Sequence, residues 1–287
     1  MTEINNYGVK TYQPTIKKEK QKPKGSFASL TIGTLAQAGV AMPSAYFLKK
    51  LQKVNHNTTK EQADLLNKIA DDILISSKLV DKGVTIKNIE SSINLAEIPY
   101  NLKFFISEVS RGNNSFFVPA DLKGKNKNFT INANTILANR EKMSLALFHE
   151  LGHAHNFNTT KIQRYLMKNK ISLPLFSNIV GGFLIMFNAY TKNSKPTNGD
   201  LSTKDKLKNT IRNISPALAG LACVPMLVEE GTASLKAEKW IKDKIPKELF
   251  DKVKKSNRNG FITYGLTTIS LILGTYITKK IKDNKNK

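Results

Sequence analysis

His149-Glu150-Leu151-Gly152-His153 decides how the rest of this chain is read. On a helix, residues four apart share a face, so the two imidazoles of this stretch can hold one metal ion. Glu150 follows the first histidine and can reach a water on that ion as general base. Two nitrogen ligands and a proton acceptor within five residues imply a helix, one zinc ion (Zn2+) per chain and hydrolytic chemistry. An amphipathic helix that merely carries two histidines is the bland alternative.

Two histidines leave a catalytic zinc one protein ligand short, because such sites use three and keep a fourth position open. The chain has four histidines. His155 lies about 200° round the helix from His153, and His56 sits in a polar loop, so both read as surface residues. A carboxylate is the better candidate. Glu229-Glu230-Gly231-Thr232-Ala233-Ser234 emerges directly from an apolar segment. Glu230 shares a helix face with Ala233 and Ser234. A small residue at 233 would let this helix approach the zinc helix closely, and Ser234 could hydrogen-bond the outer nitrogen of a ligand histidine. One helical residue is a turn of about 100°, so one glutamate, Glu230, is expected to face the metal. Glu229 is then a flanking surface carboxylate. Two glutamates that simply start a charged helix are the alternative.

Composition sets the surroundings. The chain has 287 residues, with 45 Lys+Arg against 22 Asp+Glu and a net charge of +23. That balance suits an anionic membrane surface or nucleic acid, but only five of the basic residues are arginine. Arginine is the usual reader of bases and phosphates, and no nucleic-acid motif is present, so no nucleic-acid partner is expected. A single cysteine, Cys223, excludes an internal disulfide framework and a CxxC metal site. Residues 1–25 are polar and lysine-rich and read as a disordered basic tail without a clear signal-cleavage site.

Four segments lack charge. Residues 171–190 and 261–278 are near the length of a bilayer crossing; 26–48 is richer in small residues, and 214–228 is short. Four such segments are hard to bury in one small soluble domain, so the expectation is a multi-pass integral membrane protein with a lipid bilayer as partner. The organisation expected is a tail at 1–25, a possible membrane helix at 26–48 and a catalytic region at 49–170. A membrane hairpin with a basic loop follows at 171–228, then a helix carrying the third ligand at 229–260, and a last membrane helix with basic tail at 261–287. Within the catalytic region, 59–81 reads as an amphipathic helix, 102–109, 115–119 and 128–133 as short strands, and 140–156 as the zinc helix. Helices are also expected over 229–242 and 247–255. The polar face of strand 128–133 could bind an extended peptide by strand addition.

This arrangement resembles the membrane-embedded gluzincin metallopeptidases of the CAAX prenyl protease and HtpX-like family. The matching elements are Asn114-Ser115-Phe116-Phe117-Val118-Pro119, the strand at 128–133, His149–His153, the apolar pair 171–190 and 214–228, and Glu230-Gly231-Thr232-Ala233-Ser234. The similarity covers about residues 60–242. It implies an α+β, mainly helical gluzincin-like core with a small antiparallel sheet and transmembrane helices. It further implies zinc held by His149, His153 and Glu230, with Glu150 as catalytic base acting on a peptide or membrane-protein substrate.

Two positions depart from the family. Its aspartate after Ala233 is Ser234 here, and no histidine follows His155 to help hold an oxyanion. Tyr165, Arg212 and Tyr264 are the candidates for that task, with nothing to choose among them. The leading expectation is an integral-membrane zinc metalloendopeptidase. A catalytically silent membrane scaffold of the same descent and a basic membrane-surface or nucleic-acid-binding protein are the alternatives.

Overall fold

The computed structural model describes residues 26–55, 58–96, 98–123, 130–169, 171–196 and 199–284. The expected basic tail at 1–25 and His56 lie outside them. The chain is mainly helical: α1 (Ser26–Asn55), α2 (Lys60–Ser76), β1 (Thr85–Asn88), α3 (Tyr100–Ser110), β2 (Phe116–Val118), β3 (Leu122–Lys123), β4 (Thr130–Ile131), β5 (Thr135–Ala138), α4 (Leu147–Thr159), α5 (Lys161–Lys168), α6 (Leu173–Tyr190), α7 (Thr203–Ile241) and α8 (Lys247–Asn284).

The polar region forms a small core. Thr59 and Gln62 close a capping box at the start of α2. Leu66, Ile69, Ile73 and Leu74 of that helix pack on Leu147, Phe148 and Leu151 of α4 and on Ala237 and Ile241 of α7. The sheet has the order β1-β5-β2, with β1 parallel and β2 antiparallel to β5. It is therefore mixed, where a purely antiparallel sheet was expected, because the chain returns from β1 to β5 by a long crossover through α3. β3 and β4 form a separate antiparallel pair.

Three expected boundaries change. Residues 102–109 are not a strand but the body of α3. Leu102, Ile106 and Val109 recur at helical spacing and face one cluster, leaving Phe104 and Phe105 exposed. The helix bearing His149 and His153 starts at Leu147 and not at 140, because Asn139 and Ser144 turn the chain first. Asn139 Oδ1 accepts from the N–H groups of Glu141 and Lys142, and Ser144 Oγ accepts from that of Ala146. The helices expected at 229–242 and 247–255 are continuations of α7 and α8 through the apolar segments, so the divisions at 228/229 and 260/261 fall inside single helices.

α6, α7 and α8 are long and apolar enough to cross a membrane, which marks a membrane protein by length and composition. The larger part of each apolar window is not buried inside the protein. Leu175, Ile179, Phe183, Met186 and Tyr190 form an exposed stripe on α6, Leu221, Val224 and Val228 one on α7, and Ile269, Leu273 and Tyr276 one on α8. Core helices would have covered those faces. α1 is not among the three candidates. It packs antiparallel along α8 nonetheless: Gly33 touches Thr278 and Gly274 at one end, and Ser256 Oγ donates to Asn55 Oδ1 (2.6 Å) at the other.

At one end the bundle is pinned by polar groups. Arg212 of α7 is fully buried and donates to the Asn188 carbonyl of α6 (2.8 Å) and to Asp283 of α8 (2.5 Å). Pro216 cannot donate to the Arg212 carbonyl, and Ser215 Oγ supplies that bond (2.8 Å). Toward the other end α7 packs against α4.

Candidate metal centre

α4 presents His149 and His153 one turn apart, with ring centroids 4.4 Å apart and planes at 87°. α7 crosses this face in near contact. A Cβ placed on Gly152 would lie 2.4 Å from the Ala233 carbonyl oxygen and 2.8 Å from its carbon. The smallness expected of Ala233 is thus matched by Gly152 across the crossing, and the two together bring backbone to backbone.

The crossing delivers Glu230 to both histidines. Its Oε2 is 3.1 Å from His149 Nε2 and 3.5 Å from His153 Nε2. Ligands at about 2.0–2.1 Å from a tetrahedral zinc stand roughly 3.3–3.4 Å apart, so these separations bracket the value such a site needs. His149, Glu150 and His153 also bring ligand atoms within 4.8 Å of one another and could hold a metal ion. Of the two carboxylates Glu230 fits the ligand role better, because Glu150 Oε2 is engaged by the Phe117 N–H of β2 (2.8 Å). Burial pushes the Glu150 carboxyl above its ordinary range, against the pull of His153, His149 and that N–H. For His153, burial alone would lower the value, but Glu230 and Glu229 outweigh it and raise it well above the usual histidine range.

The outer ring nitrogens are held as well. His149 Nδ1 lies 3.1 Å from Ser234 Oγ, as expected from the spacing, and His153 Nδ1 lies 2.8 Å from Glu229 Oε1. With each Nδ1 carrying the proton toward its oxygen partner, each Nε2 is free as a ligand. Glu229 is therefore not a surface carboxylate. Both glutamates face α4: Glu230 lies against the two Nε2 atoms, and Glu229 meets the outer nitrogen of His153. Asn156 of α4 ties the seam by donating to Thr232 Oγ1 (2.8 Å) and to the Glu229 carbonyl (3.3 Å).

His155 points away from the centre, as expected of a residue that is not a ligand. It is partly buried and not a free surface group: its Nδ1 meets Lys236 Nζ at 2.8 Å and its ring packs edge-on to Trp240.

Among the three candidates for holding an oxyanion, the structure separates one. Arg212 is locked at the far end of the bundle, and Tyr165 is 68% exposed on α5 and lines neither cavity beside the histidines. Tyr264 of α8 interacts through its hydroxyl with Glu230 and lines the space in front of Glu150 and His153. Two cavities, of about 460 and 300 Å³, meet at this point, and both are lined by Phe105, Phe116, Glu150, His153, Glu230 and Tyr264. One runs toward Leu173, Pro174 and Met226, the other toward Leu51, Ser256 and Asn257. The strand beside them is β2, which is an edge strand among the described residues and whose outer edge carries the Phe117 N–H bonded to Glu150. Residues 130 and 131, expected to offer that edge, pair with β3 and line neither cavity. Asn114, Phe116, Phe117 and Pro119 of the stretch resembling the family motif do line them.

No protein-family model, no curated protein and no solved structure matches this chain.

Proposed function

We propose that this chain is an integral-membrane zinc endopeptidase of gluzincin type. The observation that carries the reading is the convergence of His149 Nε2 and His153 Nε2 on one Glu230 oxygen, with Glu150 alongside and both outer nitrogens bonded. His149, His153 and Glu230 hold the metal, and a bound zinc ion supplies the Lewis acidity that peptide hydrolysis needs at neutral pH. Glu150 accepts the proton of the attacking water and passes it to the leaving amine. The Phe117 N–H aims its carboxylate. The Tyr264 hydroxyl donates a hydrogen bond to the carbonyl oxygen as negative charge develops there. A peptide lies extended through the two cavities, along the free edge of β2. The exposed apolar stripes of α6, α7 and α8 face lipid, α1 accompanies α8, and the centre sits where the bundle meets the polar region.

Elemental analysis of the purified protein, with hydrolysis of a peptide library by wild type and Glu150→Gln, tests this. The expected result is one zinc per chain in both and cleavage in the wild type alone. Equal metal in a His149→Ala/His153→Ala variant removes the site. One zinc with no Glu150-dependent cleavage leaves a silent scaffold of the same architecture.

A further inference from the structure

A further cavity, with a different chemistry, lies between α1 and α8, apart from the two at the metal centre. It has a volume of about 450 Å³. Lys50 and Lys53 of α1 and Lys252 and Lys255 of α8 line it, over apolar side chains that include Val54 and Leu249, and no acidic residue is among its lining. The antiparallel pairing of the helices, fixed by the Ser256–Asn55 bond, brings the two lysine pairs together. The members of each pair are spaced i, i+3, so both ammonium groups of a helix project to one side.

Four cations converging without a counter-charge on the cavity wall repel one another, and an anion would relieve that repulsion. Their existing partners are weak. Lys252 pairs with Glu248, which is 81% exposed, and Lys50 lies over the Tyr46 ring at 4.5 Å. The apolar floor argues against a small mineral ion as sole occupant, because it offers nothing to a fully hydrated anion. Position argues further. Lys50 and Lys53 follow the charge-free stretch ending at Leu48, and Lys252 and Lys255 precede the apolar run that begins at Phe261. At 1.5 Å per helical residue, all four sit roughly 3–14 Å beyond the apolar segments, which is the headgroup layer plus the reach of a lysine.

We propose that this cavity binds the phosphate-bearing headgroup of an acidic membrane lipid, with the glycerol and first methylenes on the apolar floor. The site is independent of the metal centre and does not rest on the peptidase reading.

The test uses the full chain in a neutral detergent. Binding of short-chain phosphatidylglycerol, short-chain phosphatidylcholine and inorganic phosphate is measured by calorimetry. The wild type is compared with a Lys50→Gln/Lys53→Gln/Lys252→Gln/Lys255→Gln variant. A control variant, Lys60→Gln/Lys68→Gln/Lys161→Gln/Lys168→Gln, removes the same charge from exposed positions elsewhere. At roughly 1 kcal/mol per lysine near a charged surface, the cavity variant is expected to lose at least tenfold in phosphatidylglycerol affinity and the control less than threefold. Phosphatidylcholine and phosphate should bind weakly throughout. Equal loss in the two variants would reduce the effect to net charge and overturn the site. Phosphate binding as tightly as the lipid would overturn the lipid assignment. Should the fourfold variant be misfolded by circular dichroism, Lys53→Gln and Lys255→Gln are read singly, each expected to weaken the lipid about fivefold; no change in either defeats the proposal.

Discussion

Gly152→Ala isolates the crossing on which the centre depends. The added methyl would lie 2.4 Å from the Ala233 oxygen and 2.8 Å from its carbonyl carbon and Cα. All three are backbone atoms, so no rotamer change relieves the clash. Carbon atoms pack at about 3.5 Å or more, so α7 must retreat from α4 by roughly 0.7 Å. Metal–ligand distances tolerate about 0.2 Å. Glu230 is three residues before Ala233 on the same helix and would be drawn away from the histidines. Stability alone is a poor readout, because overpacking costs about 1–3 kcal/mol while alanine gains up to about 1 kcal/mol over glycine in a helix. Zinc affinity is the sharper one. Measured by competition with a chelator, it should fall at least tenfold, about 1.4 kcal/mol. Gly182→Ala, where an added Cβ meets nothing within 4 Å, should leave it unchanged. Wild-type zinc affinity in Gly152→Ala would refute the reasoning, since the backbones could not then be in the contact described.

Removing Glu230 should abolish tight zinc binding, whereas Glu229→Ala, by freeing the His153 ring, should weaken it by about 10–100-fold; chelator competition on the two side by side checks both, and an inert Glu229→Ala would deny it the bond to His153. Tyr264→Phe should keep its zinc and lower kcat by about 10²–10³-fold with little change in KM; steady-state kinetics decide, and a pure KM effect would make the hydroxyl a binding group only. Asp283→Asn leaves the buried Arg212 charge without its carboxylate and should cost about 1–3 kcal/mol, read as a lower thermal midpoint in detergent. Cysteines placed at Thr159 and Lys195, with Cys223 replaced, should label from opposite faces of sealed vesicles if α6 and α7 cross the bilayer; labelling from one face only would remove that topology.

Most of the centre was legible because its parts are local. His149, Glu150 and His153 are set by a spacing of four, and Ser234 is placed by its distance from Glu230 along one helix. Glu229 was misread for a reason that spacing cannot supply. The 100° between neighbours excludes two residues from one point, but the His153 ring offers two nitrogens, Nε2 toward Glu230 and Nδ1 toward Glu229, and only the crossing geometry reveals that. Tyr264 is 34 positions from Glu230 in the chain and belongs to the site through helix packing alone. β5 leaves no signal in the sequence because all four of its residues are buried, so it lacks the alternation that marks a half-exposed strand. α3 is masked in the sequence by Phe104, Phe105 and Ile106, which look like a strand, whereas its helical period is carried by Leu102, Ile106 and Val109.

The continuity of α7 ties the apolar bundle to the candidate metal centre. Arg212 and Glu230 are 18 residues apart on one helix, about 27 Å of rise, close to the roughly 30 Å of a hydrocarbon core. The far end is clamped to α6 and α8 by a buried charge, and the near end carries the carboxylate that completes the histidine pair. Tyr264 is placed in the same way by α8, whose far end supplies Asp283 to that clamp. A centre built only from α4 would need no bundle. This one takes two of its groups from helices anchored at the opposite end, so the register of α7 and α8 against α6 sets where Glu230 and Tyr264 stand relative to the histidines. A one-residue slip of either helix would rotate its group by about 100° out of the site. The buried Arg212 gives the register a cost for slipping, since its guanidinium would then lose the Asn188 carbonyl and Asp283 together.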